Sequence, residues 1–171
     1  MTSRWEIRRG KAEDLGALTR IYNHYVERSI CTFDTEPFSI AGRRPWFERF
    51  SKGGPYLLFV GEEGGRVLGY ACSGPFRPKP AYRSSVETSV YLEPGSRGRG
   101  LGKALLAQLL RTLEDEPEAH RAYAGIVLPG EASVRLHESL GYVRVAHYHE
   151  VGYKLGRFLD VAWYERDLSA G

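Results

Sequence analysis

Apolar positions recur along the chain at two spacings, and the switches between them predict its elements. Residues 5–9 alternate and read as a short first strand. Leu15, Leu18, Ile21, Tyr22, Tyr25 and Val26 fall at helical intervals behind Glu13 and Asp14, which put acids into a first turn. That helix is expected to end near Ser29, before a polar loop over residues 31–37 whose one aromatic is Phe33. A second helix is expected over about residues 40–51, with Trp46, Phe47 and Phe50 inward and Gly53-Gly54-Pro55 stopping it. Two strands, residues 56–62 and 66–73, flank Glu63-Gly64-Gly65, a hairpin signal. Residues 74–82 form a loop stiffened by Pro75, Pro78 and Pro80, and residues 86–92 alternate as a strand. Leu101, Leu105, Leu106, Leu109, Leu110 and Leu113 mark a strongly apolar helix face, broken at Glu116-Pro117-Glu118. Residues 122–128 are continuously apolar and suit a buried strand. A helix opening at residues 129–133 runs to Leu140, Gly141 caps it, and strands follow from Tyr142 to a closing pair over residues 151–166. No repeat or linker interrupts the series, so residues 1–171 read as one domain.

The turn between the strand at residues 86–92 and the leucine helix carries the first chemistry. Its sequence is Arg97-Gly98-Arg99-Gly100-Leu101-Gly102-Lys103. Glycines let a ligand approach the backbone, and the helix start offers unpaired N–H groups and a positive dipole end. That combination suits an anion such as a diphosphate, with Arg97, Arg99 and Lys103 adding charge. The spacing is off register for a G-x-G-x-x-G dinucleotide fingerprint, and Ala104 after Lys103 excludes a Walker A loop. It meets a third pattern, R/Q-x-x-G-x-G/A, at Arg97, Gly100 and Gly102. A plain glycine-rich turn remains open at this point.

Composition narrows the class. A chain of 171 residues, 42% hydrophobic and 26% charged, is ordinary for a globular protein large enough to bury a core. A net charge of +3 with dispersed arginines does not argue for nucleic acid. Cys31 and Cys72 show no metal or redox spacing and read as free thiols of a reducing compartment. The first six residues lack the apolar core of a signal peptide, and no apolar run reaches membrane-spanning length. A cytoplasmic protein with no membrane partner is expected.

The element order β-α-α-β-β-β-α-β-α-β-β, together with the Arg97–Gly102 turn and the late block Ser133-Val134-Arg135-Leu136-His137-Glu138-Ser139-Leu140-Gly141-Tyr142, resembles the GNAT acetyltransferases. Within them the chain looks like the phosphinothricin acetyltransferase group. The cues are Asn23-His24-Tyr25, Phe33 with Thr35-Glu36-Pro37, Ala81-Tyr82 before Val86-Glu87, and Gly152-Tyr153-Lys154. The resemblance runs from about residue 6 to residue 168. It implies an α/β (α+β) fold with a mixed, mostly antiparallel sheet flanked by helices, and acetyl transfer from acetyl-CoA to a primary amine without a metal. Backbone groups of Val90, Tyr91 and Leu92 would hold the pantetheine arm and thioester, and amides of Gly98, Gly100, Leu101 and Gly102 the pyrophosphate. The amide near Leu92 would polarise the thioester carbonyl. Two positions depart from the group. Gly130 stands where many relatives have an Asn that contacts CoA. Lys79 stands where a second Arg is common, and it lacks the planar fork.

Candidate catalytic residues follow from what the reaction needs. An amine is protonated near neutral pH, so a base must take its proton. Glu87 lies inside a strand, an unfavoured place for a carboxylate, and burial there would raise its pKa toward neutrality. His137 lies where relatives usually place a tyrosine acid and would give a proton to the leaving thiolate; a structural histidine is the alternative. Arg77 and Lys79 would bind the acceptor's anionic end, and Phe33 and Tyr82 would cover its aliphatic part. The acceptor is thus expected to be an amino acid or an analogue such as phosphinothricin or methionine sulfoximine. His147 and His149 share a strand face but show no third ligand in the sequence and read as solvated. Trp163, Phe158 and Tyr164 read as core or interface aromatics, and the resemblance with an aromatic-rich tail suggests a homodimer. The rival readings are a non-catalytic acyl-CoA-binding regulator, a protein N-terminal acetyltransferase, and a dinucleotide oxidoreductase. The last lacks chain for two nucleotide-binding halves.

Overall fold

The alternating segments build one seven-stranded sheet in a computed structural model that describes residues 5–169. The expected absence of a signal peptide rests partly on Met1 to Arg4, which lie outside the described residues. The strands are β1 (Glu6–Arg9), β2 (Leu58–Glu63), β3 (Arg66–Pro75), β4 (Ser85–Leu92), β5 (Arg121–Val127), β6 (Val143–Lys154) and β7 (Arg157–Asp167). Helices α1 (Leu15–Arg28) and α2 (Ile40–Glu48) precede β2; α3 (Leu101–Glu114) and α4 (Glu131–Glu138) precede β5 and β6. The element order is the one expected, although the second helix gives way to a 3-10 turn at Arg49–Ser51. No helix among the described residues is long and apolar enough to cross a membrane.

The sheet has two covered faces. On one, the α3 leucines and Leu101 pack with Leu68, Ala71, Val86, Ala122 and Tyr164. On the other, Leu18, Ile21 and Tyr25 of α1 meet Val60, Val67 and Tyr70, with Trp46 and Phe50 at the rim. Residues 122–128 are a correction to the sequence reading. Only Ala122, Ala124 and Ile126 of β5 are buried in this core, because the opposite face of the strand turns toward a cleft.

At one edge Arg8 forks between Asp14, through two bonds of 2.8 Å, and Glu62, and the Lys11 amide donates to Asp14 at 2.7 Å. Burial alone would raise the Asp14 carboxyl, but the Arg8 and Lys11 hydrogen bonds and the Arg8 charge outweigh it and hold it below the ordinary value. A depressed folded pKa contributes stability that is present at neutral pH and lost as pH falls through that pKa. Asp14→Asn should therefore cost about 2 kcal/mol at pH 7. The deficit should shrink below roughly pH 4 in denaturant titrations across pH.

The strand order is β1-β2-β3-β4-β5-β7-β6, and neighbours run antiparallel except β4 and β5. That parallel pair is short. It joins only Ser85–Glu87 to Arg121–Tyr123, although β4 keeps pairing with β3 to Leu92 and β5 keeps pairing with β7 to Val127. Beyond Glu87 the two strands therefore splay, and the sheet opens along its middle.

Candidate active site

The splay makes a cleft of about 1100 Å³. One wall is β4 from Glu87 to Leu92; the other is Gly125 and Val127 of β5 with Ser133, Leu136 and His137 of α4. Beyond Glu87 the second edge of β4 has left β5, and no other strand among the described residues pairs with it. Backbone donors and acceptors on such an edge hold an extended ligand as a strand would. From Glu87 to Leu92 this edge spans about 17 Å. Thr88 sits at the branch point: its hydroxyl donates to the Tyr123 carbonyl at 3.2 Å and lies 2.6 Å from the Tyr142 hydroxyl.

The glycine turn closes the Leu92 end. Gly98 and Gly100 have φ of 74° and 81°, a left-handed backbone that favours glycine, and Gly100 is the N-cap of α3. Gly98, Gly100 and Gly102 line the cleft with Arg97 and Lys103. The Leu101 side chain instead is buried in the core. Arg97 donates to the Tyr25 hydroxyl at 3.0 Å, and that hydroxyl donates to the Leu92 carbonyl. Tyr25 thus ties the turn to the β4 edge, a role its helical periodicity does not show. Arg99 is placed differently from Arg97 and Lys103: it pairs with Glu63 at 2.7 Å and is not among the residues that line the cleft.

At the other end lies Glu87. It is half-buried, and loss of water raises its carboxyl above the ordinary value, with the Arg77 charge opposing. The Arg77 guanidinium lies 4.2 Å from the Phe76 ring centroid and 5.1 Å from that of Trp163, and it donates to the Phe76 carbonyl at 2.8 Å. Trp163, expected in the core or an interface, is in fact cleft wall and a platform for Arg77; Tyr164 is core and Phe158 exposed. A lone glycine within an apolar strand signals close approach, and Gly125 faces Trp163 so tightly that a Cβ would stand 3.1 Å from its ring. Phe33 also lines the cleft, its ring lying where Gly152 would carry a side chain. Two expected acceptor contacts are not brought in. Lys79 is exposed and off the cleft wall, and Tyr82 packs edge-on to Phe76 at 6.0 Å outside it.

His137 is buried at 4% exposure. Its Nδ1 lies 2.8 Å from the Ser133 carbonyl, which can only accept, so Nδ1 carries a proton. Nε2 is buried and has no hydrogen-bond partner among the described residues. Burial lowers its pKa, with the Ser133 bond opposing, so the ring favours the neutral form. In that state Nε2 is an acceptor with no proton to give. This differs from the donor expected from the sequence: His137 must take a proton before it can pass one on.

The pattern of the acetyltransferase (GNAT) family matches residues 18–142. The phosphinothricin N-acetyltransferase of Streptomyces coelicolor is 53% identical over 169 residues, covering 98% of each chain. The L-methionine sulfoximine/L-methionine sulfone acetyltransferase of Salmonella typhimurium is 38% identical, covering 95% of this chain and 94% of that one. Among solved structures, a GNAT phosphinothricin acetyltransferase from Sinorhizobium meliloti in complex with acetyl-CoA superposes with a TM-score of 0.92. It is 35% identical and covers 99% of this chain and 91% of that one. With strands parted beside a glycine-rich helix start, and with this likeness running nearly end to end, the chain belongs to the GNAT family of acetyltransferases.

Proposed function

We propose that this chain is a single acetyltransferase domain that moves an acetyl group from acetyl-CoA to the α-amine of an amino acid or a close analogue. The observation that carries the acceptor assignment is that an acid, Glu87, and a cation near enough to feel its charge, Arg77, both line the cleft. The named activities of the relatives, on phosphinothricin and methionine sulfoximine, point to analogues of that kind.

The cleft suits acetyl-CoA on its own geometry. An unpaired strand edge can take the arm, and the left-handed glycine turn at the α3 start, with Lys103 and Arg97, can take the diphosphate. Acetyl-CoA supplies the activated acyl group. The chain's residues do the rest. Arg77 holds the acceptor's carboxylate or oxidised head group, and Phe33 and Trp163 flank its aliphatic part. Glu87, ionised, takes a proton from the ammonium, directly or through water, and burial brings its pKa closer to the working pH. The neutral His137 offers Nε2 as an acceptor on the opposite wall.

A panel of amino acids, decarboxylated amines and N-terminal peptides, assayed by CoA release, tests the acceptor class. Acetylation confined to peptides would replace this reading with protein N-terminal acetylation, and no turnover with any amine would leave a non-catalytic binder. Arg77→Ala should raise the acceptor KM roughly ten- to a hundredfold, the range of a lost charge-assisted bond, with the acetyl-CoA KM nearly unchanged. It should also move the acidic limb of the kcat/KM profile to higher pH, because the Arg77 charge lowers the Glu87 pKa. Normal kinetics in Arg77→Ala would show that the cation merely solvates the loop.

We further propose a cytoplasmic homodimer. Free Cys31 and Cys72 suit a reducing compartment. The β6–β7 hairpin exposes Val143, Tyr148, Val151, Tyr153, Leu155 and Phe158, an apolar surface a second copy can cover. Light scattering at micromolar concentration should give twice the chain mass; a monomer mass would contradict the dimer.

A further inference from the structure

The sequence alone leaves His147 and His149 without a third metal ligand, and the fold supplies one. The β6–β7 register shifts between Tyr148 and Gly152, so the intervening residues bulge opposite Asp160. The bulge brings His149 beside His147, their rings 4.3 Å apart and 28° from parallel. Both face one carboxylate oxygen: Asp160 Oδ2 lies 2.6 Å from His147 Nε2 and 3.4 Å from His149 Nδ1. The other oxygen, Oδ1, accepts from the Glu150 amide at 2.8 Å. Donor atoms from all three residues fall within 4.8 Å of one another. None of the three lines the acetyl-transfer cleft.

We propose that His147, His149 and Asp160 form a peripheral site for a divalent late transition-metal ion such as Zn²⁺. Two imidazoles and a carboxylate are the donors such ions prefer, and three protein ligands leave a position for water. Tetrahedral donors at about 2.0–2.2 Å from zinc stand roughly 3.3 Å apart. The His149–Asp160 separation already matches this, and the His147–Asp160 contact must open by under about 1 Å. His149, with its side chain 81% exposed, is free to adjust. The Glu150 amide bond orients the carboxylate, as partners of metal ligands do. Binding at Nε2 moves the single His147 proton to Nδ1, which frees the Nε2 lone pair for the metal. The exposed Arg144, which contacts Nδ1, then turns to solvent. The site is independent of the acetyl-transfer assignment.

Titration calorimetry on untagged full-length protein with Zn²⁺, and with Mg²⁺ as control, tests it. The expected result is one Zn²⁺ per chain at micromolar affinity, no Mg²⁺ binding, and a melting temperature raised by Zn²⁺. His149→Ala and Asp160→Asn should each weaken binding at least about tenfold. Neither change threatens the fold: His149 is exposed, and the side-chain amide introduced by Asp160→Asn keeps an oxygen for the Glu150 amide. Zn²⁺ affinity equal in wild type and both variants, or no Zn²⁺ binding to wild type below millimolar, would overturn the proposal.

Discussion

Glu87→Gln should lower turnover by about 10²-fold or more, and the acidic limb of the kcat/KM profile should vanish with it. The chemistry demands a proton acceptor, because an ammonium has no lone pair with which to attack. Glu87 is a carboxylate at the end of the cleft where Arg77 stands. Loss of water raises its pKa, and Arg77 limits the rise. The wild-type limb should therefore lie above the ordinary Glu value of roughly 4.3, with activity lost as the pH falls and Glu87 protonates. Glutamine keeps the shape but cannot take the proton. Folding gives an independent check with the opposite sign. Since the folded state disfavours the ionised carboxylate, Glu87→Gln should leave the melting temperature at pH 7 unchanged or raised. A slow, well-folded enzyme is the expected combination. A persisting limb with turnover near wild type would move the base to another group or to bulk water.

Gly102→Glu should raise the acetyl-CoA KM by at least about tenfold, and up to a hundredfold, as charge-assisted bonds to the diphosphate are lost. The substitution sets a carboxylate into the turn that Arg97 and Lys103 make positive. Packing adds a second penalty. The new Cβ would stand 3.3 Å from a Leu92 methyl and 3.9 Å from one of Leu136, both at the cleft. Some loss of melting temperature is expected, so the exposed Lys103→Glu is the companion variant: it reverses charge without touching the core. Both should raise the acetyl-CoA KM and leave the acceptor KM nearly unchanged. Wild-type acetyl-CoA affinity in both folded variants would place the diphosphate elsewhere.

What the sequence reveals and what it hides divide along local and non-local interactions. The α3 helix and its glycine turn are legible because the leucine spacing and the glycines are local signals. The Gly64-Gly65 turn is legible for the same reason, and both glycines have positive φ. Glu87 stands out as a carboxylate inside a strand, and the structure gives it the raised pKa expected there. The splay of β4 from β5 is not legible, since pairing that stops after three residues leaves no local trace. Without it β5 reads as a buried strand, and Trp163 is hidden as a wall. Arg99 looks free in the sequence because its partner, Glu63, is distant along the chain. His137 looks like a donor because its tautomer depends on a carbonyl one helical turn away, at Ser133. His147 and His149 look solvated because Asp160 arrives from the neighbouring strand. Lys79 and Tyr82 show the reverse situation. Nearness in sequence to Arg77 suggests a shared site, but the chain carries them outward.

Transfer to an α-amine beside a carboxylate is read by comparing two acceptors that differ only in that carboxylate. Purified protein is incubated with acetyl-CoA and either methionine sulfoximine or the same amine without its carboxylate, and kcat/KM is read from CoA release. The amino-acid form should be preferred by roughly ten- to a hundredfold, the contribution expected of Arg77. Its product should carry one acetyl group on the α-nitrogen by mass spectrometry. Equal kcat/KM for the two amines, or no CoA release above the acceptor-free rate, would rule out an α-amino acid acceptor held by Arg77.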